Sequence, residues 1–282
     1  MQQDRLFWFR LIVLVLVGMT MITPFVWMLG ASFKPHKEAE EAHLLPRDPT
    51  LSNYPIVLDL APDPVTNEKL GMRFGRWYFN SLLIAFGVTL FQVLTSAMAA
   101  YAFSRLEWPG RDRVFLLYLA TMMIPGIVTM IPNFQIMVGL GFLNTYRGLM
   151  LPAAFSAFGA FLLRQFMMSI PRSLDEAATL DGASHWRIFW DVIMPLSRPG
   201  LIALAVIVAL GAYQSFFWPL ILLNDEQYYP MSVGMLMLDT TYGRQTELIM
   251  AATVMNILPM ILLFVLCQRF LVKGLMLGAV KA

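Results

Sequence analysis

Six stretches of this chain contain no Asp, Glu, Lys or Arg: 11–33, 77–103, 114–131, 149–163, 201–223 and 248–267. One Lys, Arg or Asp at the centre of a bilayer helix costs about 2.5–3.5 kcal/mol, roughly the gain from six Leu or Ile, so charge-free runs of this number are not accidental. As a helix the first run would be about 34 Å long, against about 30 Å of hydrocarbon. The pattern predicts an all-α membrane protein with six transmembrane helices in one transmembrane domain covering 1–282. Composition agrees: 58% of residues are hydrophobic and only 13% charged, about half the usual share, with 21 Phe and 7 Trp suited to lipid-facing and interfacial positions.

The run 11–33 continues through Pro24, Phe25 and Trp27 without a small-residue cleavage site, so it is expected to stay as an uncleaved signal anchor. Placing the N-terminus in the cytoplasm puts twelve of the 20 basic residues on cytoplasmic segments, and six of the other eight in the long 34–76 loop. Both termini are then cytoplasmic. The 34–76 segment carries Pro35, Pro46, Pro49, Pro55, Pro62 and Pro64, too many for a long helix, and reads as an irregular extracytoplasmic loop.

Several functions are set aside by what the chain lacks. A formal charge of +2 gives no basic field for nucleic acid. The lone Cys267 forms no internal disulfide, and His36, His43 and His185 lie outside the apolar runs; the first two flank Glu38, Glu40 and Glu41 in a solvated loop. No Gly-x-x-x-x-Gly-Lys-Ser/Thr loop is present to cradle nucleotide phosphates, and no HExxH or GxSxG motif to support a membrane enzyme. Ion-coupled transporters usually keep Asp, Glu or His inside their spans, and these runs have none, although sodium coupling through carbonyls stays open.

Between the fourth and fifth runs the membrane pattern is interrupted by residues 169–195, which read as two short helices. Pro171 suits a first helical position, Asp175 and Glu176 lie early in the helix, Gly182 supplies the stop, and Ser184 can cap a second helix. There Trp186, Phe189, Trp190 and Ile193 follow an i, i+3, i+4, i+7 stripe, predicting one buried face. Leu174, Ala177 and Ala178 share a face of the first helix whose small side chains would let another backbone approach closely. Periodicity alone does not say whether the cover is the chain's own bundle, lipid headgroups or a partner. In the fifth run, Tyr213, Gln214 and Ser215 are polar groups at membrane depth, serving either interhelical hydrogen bonds or a solute path.

Glu176-Ala177-Ala178, three residues, Gly182, nine residues and Val192-Ile193-Met194-Pro195 together resemble the EAA loop of binding-protein-dependent ABC importer permeases. The similarity extends along nearly the whole chain and is strongest to the carbohydrate-uptake branch with its MalG-like subunits. It is carried by Ser32-Phe33-Lys34-Pro35, Pro49-Thr50-Leu51-Ser52-Asn53-Tyr54, Asn80-Ser81, Ala99 to Leu106, Leu143-Asn144-Thr145, Gly148-Leu149, Phe217-Trp218-Pro219-Leu220 and the tail Gly278-Ala279-Val280-Lys281. Tyr213-Gln214 stands where many relatives have Trp-Asn, so a sugar preference does not transfer.

The resemblance implies a type I ABC importer permease fold in a bacterial or archaeal cytoplasmic (inner) membrane. It implies a second permease subunit, in a heterodimer, two cytoplasmic ABC ATPases that hold ATP and Mg, and an extracytoplasmic solute-binding protein, with no cofactor and no catalytic residue on this chain. ATPase coupling falls to Glu176, Ala177, Ala178, Asp181, Gly182 and Pro195, and a substrate pathway to Tyr213, Gln214, Ser215 and Trp218. The solute would be a sugar or related polar solute, with glycerol phosphate as the alternative.

Overall fold

The structure, a computed structural model, describes residues 2–39, 41, 43–64, 66–241 and 245–279; Glu40, Val280 and Lys281 lie outside the described residues. Every regular element among them is helical. In chain order the principal helices are α1 (Gln2–Ser32), α2 (Phe74–Ser104), α3 (Arg111–Ala120), α4 (Gly126–Gly139), α5 (Ala157–Met168), α6 (Ser173–Leu180), α7 (His185–Leu196), α8 (Arg198–Tyr213), α9 (Phe217–Leu222), α10 (Met231–Thr241) and α11 (Thr246–Ala279).

Among the described residues, three helical segments are long and apolar enough to cross a membrane: Phe7–Ser32, Phe74–Ser104 and Thr246–Gln268. They take up the runs 11–33, 77–103 and 248–267. The other three runs are broken. The run 114–131 is bent by 98° between Arg111–Met123 and α4. There Ile124 is extended, as a residue before proline tends to be, and Pro125 opens α4, whereas Pro132 sits inside α4 without ending it. The run 201–223 divides into α8 and α9 around Gln214–Phe216, and α7 meets α8 at 78°. The run 149–163 is not one helix: a short helix, Tyr146–Met150, ends before Pro152, and α5 starts afresh on a Ser156 side-chain cap that accepts from the Gly159 N–H.

The chain forms two compact units. In the first, residues 1–76 and 234–258, positions 7–29 of α1 include no buried residue. Beyond α1, two of the segments singled out by resemblance meet. The buried Asn53 amide donates to the carbonyls of Ser32 (2.9 Å) and Lys34 (2.8 Å), Ser32 Oγ and Tyr54 Oη lie 2.9 Å apart, and the Thr50 N–H reaches the Phe33 carbonyl at 2.8 Å. Lys34 is only 1% exposed and donates its Nζ to the Glu41 carbonyl. The loop is therefore irregular but tightly bonded, because its prolines leave backbone groups that side chains satisfy instead. His36 Nδ1 contacts Glu247 Oε1 at 2.6 Å.

The second unit, 77–233 and 259–282, is organised on α2. Its buried positions Trp77, Asn80, Ser81, Ile84, Val88, Ala97, Ala100 and Tyr101 keep helical spacing. Small residues allow close approach: a Cβ on Gly159 of α5 would strike Ser96 Oγ, one on Gly87 would lie 2.6 Å from Met150 Sδ, and one on Gly200 of α8 the same distance from the Phe166 ring. Asn80, fully buried, donates to the carbonyls of Gln227 and Tyr229, each at 2.9 Å, and accepts from Tyr146 Oη at 2.7 Å. Asn144 takes the left-handed conformation that asparagine tolerates (φ 52°), and its Oδ1 accepts from the N–H groups of Asn224 and Asp225.

Candidate functional site: an exposed hairpin and an aromatic groove

Residues 169–196 form a helical hairpin whose two arms differ in burial. The first arm, α6, begins two residues after Pro171, with Asp175 and Glu176 in the turn where negative charge complements the helix dipole. It ends on Gly182, whose φ of +81° is reached without steric cost only by glycine. The Ala183 N–H returns to the Ala178 carbonyl (2.9 Å) and the Gly182 N–H to that of Thr179 (3.0 Å), so the last carbonyls are satisfied in a Schellman arrangement. No residue of α6 is buried. Glu176, Ala177, Asp181 and Gly182 are exposed, Ala178 is half-buried, and Leu180 stands 90% exposed at the tip.

The second arm starts on Ser184, whose Oγ accepts from the Arg187 N–H, as the sequence predicts. The expected stripe is only half right. Phe189 and Ile193 are buried, but Trp186 and Trp190 are exposed, and Ile188 takes a place in the core instead. The cause is a π-helical turn over Ile188–Ile193, which widens the helix and rotates the following side chains off the 3.6-residue register. Pro195, half-buried within the last turn, lacks the N–H that would close an ordinary bond to Asp191, which favours the wider ladder.

Two side chains, one near the end of α2 and one just past it, a helical turn apart, hold the hairpin. Tyr101 Oη donates to the His185 carbonyl at 3.0 Å, and its ring packs edge-on against Phe189 at 5.2 Å. Arg105 donates Nη1 to Asp175 Oδ2 at 2.8 Å and Nη2 to the carbonyls of Ile170 (2.8 Å) and Met167. Sequence reasoning assigned neither a role; the cue was a Tyr and an Arg at i, i+4 where an apolar run meets the cytoplasmic segment.

The four pathway candidates do not converge. Ser215 and Trp218 line one open groove of about 360 Å³ with Phe216, Phe217 and, from α4, Gly126, Ile127, Met130 and Asn133. Tyr213 is buried instead beside a separate apolar cavity with Ala85, Thr89 and Pro259, and Gln214, the exposed last cap of α8, lines neither. The separation follows from the break after α8, which turns successive residues to different sides. Ser215 offers its carbonyl to Ser232 Oγ at 2.6 Å, and Trp218 donates Nε1 to the Gly148 carbonyl at 3.0 Å, so the indole is fixed with its ring at the groove. Asn133, just past the third apolar run, was missed because the 98° bend that brings it here is not legible as periodicity.

Residues 92–274, which contain the whole hairpin and the groove, match the family described as binding-protein-dependent transport system inner membrane component. The chain belongs to this family. Among its permease relatives, the arabinooligosaccharides transport system permease protein AraQ of Halalkalibacterium halodurans is 32% identical over 274 residues, covering 97% of this chain and 96% of that protein. The sn-glycerol-3-phosphate transport system permease protein UgpE of Yersinia enterocolitica is 36% identical over 204 residues, 72% of this chain and 73% of its own. A crystal structure of a bacterial ABC transporter involved in import of the acidic polysaccharide alginate superposes with a TM-score of 0.84 at 25% identity, over 95% of this chain and 98% of that one. The permease fold is also shared with the MetNI methionine transporter, at a TM-score of 0.52 and 16% identity over 71% of this chain and 95% of that one.

Proposed function

We propose that this permease forms half of the translocation path of an ATP-driven importer for a neutral saccharide or related polyol, and that the 169–195 hairpin receives the stroke of a cytoplasmic ATPase. The observation that carries the reading is the contrast between the arms: α6 offers an exposed, small-residue surface around Glu176, Ala177, Ala178, Asp181 and Gly182, while Phe189 and Ile193 root the second arm in the second unit's core. A lever needs both a free contact face and a stiff attachment, since packed joints transmit displacement where loose ones absorb it.

In this account the membrane is crossed six times, at 11–33, 77–103, 114–131, 149–163, 201–223 and 248–267, the broken runs making bent crossings, with both termini in the cytoplasm and the 34–76 loop outside. The partners are a second, non-identical permease, two ATPases that supply ATP and Mg chemistry, and an extracytoplasmic binding protein. For the solute, the groove presents the aromatic rings of Phe216, Phe217 and Trp218 with the amide of Asn133 and the hydroxyl of Ser215. Flat apolar faces beside a few hydrogen-bonding groups suit a sugar ring. No Lys or Arg is among the described lining residues, whereas a phosphate ester would call for one.

The test is uptake into vesicles holding the permease pair, its ATPases and binding protein. ATP inside the vesicle should drive accumulation of a labelled neutral oligosaccharide and not of glycerol phosphate. Uptake that needs a sodium or proton gradient instead of ATP would overturn the reading.

A further inference from the structure

The Arg105 side chain is 3% exposed, which is unusual for a guanidinium at the edge of a membrane segment, and it has three partner residues at once. Nη1 meets Asp175 on α6, while Nη2 bridges the carbonyls of Met167 and Ile170 at the end of α5. One turn earlier on α2, Tyr101 is bonded to the first residue of α7. The same face of one helix therefore grips both arms of the hairpin and the segment that leads into it. The other ion pairs described on the hairpin are exposed: Arg172 with Glu107 at the start of the first arm, and Arg187 with Asp191 within the second. Exposed pairs of this kind contribute little.

The contact is one-pronged. Arg105 Nε and Asp175 Oδ1 are both buried without a hydrogen-bond partner, although they belong to the same pair. Arginine and carboxylate commonly meet through two parallel bonds, so the unused donor and acceptor leave the joint room for a second prong if α6 rotates toward α2. A lysine in place of Arg105 would have neither the planar fork nor the reach to two carbonyls and a carboxylate together.

We infer that Arg105 is the positioning residue through which displacement of α6 enters α2, with Asp175 as its contact on the moving arm. This rests on the coupling role proposed above for the hairpin. On this account the thrust divides: the Arg105–Asp175 pair and Tyr101 carry it into α2, and the chain itself carries it through α7 into α8.

The experiment uses the full complex in vesicles, with transport and ATP hydrolysis measured together. Asp175→Ala removes the contact from an arm that has no buried residue, and alanine favours the helix. Solute moved per ATP should fall at least fivefold, while Asp191→Ala, which breaks the exposed pair on the second arm, should change it less than twofold. A readout that does not depend on transport is the spread of distances between spin labels at Leu180→Cys and Glu107→Cys in a Cys267→Ala background. In the detergent-solubilised permease pair the distribution should at least double in width when Asp175→Ala is added. Unchanged coupling, or an unchanged width, overturns the inference. Gly182→Pro separates this from the parent reading: if it uncouples and Asp175→Ala does not, Arg105 is no thrust point and the hairpin's role stands. If neither uncouples, the hairpin's role itself falls.

Discussion

Replacing Asn80 with Leu keeps the branched outline of a fully buried side chain on α2 and removes three hydrogen bonds at once. Interhelical bonds inside bilayers average about 0.6 kcal/mol each, which sets a floor near ~2 kcal/mol for three. The ceiling comes from the orphaned groups, at about 1–3 kcal/mol for each polar atom left buried without a partner. Of the three, the Tyr229 carbonyl belongs to a buried residue, while Gln227 and Tyr146 are half-buried and within reach of water. Only one full penalty therefore applies, and the expected loss is about 3 kcal/mol. Equilibrium unfolding in mixed detergent–SDS micelles measures it. A cycle with Tyr146→Phe should show non-additivity of about 0.5–1.5 kcal/mol for the shared contact. A loss for Asn80→Leu below ~1 kcal/mol, or strict additivity, would refute the view that this side chain pins the 227–229 segment.

The two readings of the hairpin's second arm predict different alanine scans. Phe189→Ala should cost about 3 kcal/mol of unfolding free energy and Trp186→Ala within about 0.5 in the isolated permease; equal losses would restore the regular stripe. Gly159→Val, which drives a branched side chain into Ser96 and to 3.3 Å from Leu204, should cost about 1–3 kcal/mol by the same unfolding assay. The side-chain hydrogen bond from Arg111 holds the Asp112 carboxyl below its ordinary range, so the pair is ionised above that range and its contribution is lost only as pH falls through the lowered value. Carbon-13 NMR of labelled Asp should place its midpoint below that of a free aspartate, and a midpoint at or above it would contradict the contact.

Apolar runs located the long helices because charge exclusion acts residue by residue and leaves its mark in the sequence. Caps were legible for the same reason: Ser184 and Gly182 act through their own backbone neighbours. What could not be read depends on contacts distant in the chain or on register. With the π-turn at Ile188–Ile193 the buried face is Ile188, Phe189 and Ile193, and Trp186 and Trp190 stay outside it, which no fixed period anticipates. The break after α8 divided polar residues that looked contiguous, sending Ser215 and Trp218 to one groove and Tyr213 to another cavity, and the bend at Pro125 brought Asn133 to that groove. Arg105 looked like an ordinary flanking cation, since a charge at the end of an apolar run is normally solvated; its burial comes from partners more than sixty residues away.

The central claim is that the hairpin links ATP hydrolysis to transport, and Gly182→Pro tests it most directly. Proline fixes φ near −65°, while this turn requires +81°, so the substitution misdirects the tip without touching the core. In the reconstituted complex, ATP hydrolysis stimulated by the loaded binding protein and solute uptake should be lost together. Full coupled hydrolysis and uptake in an assembled Gly182→Pro complex would contradict the account.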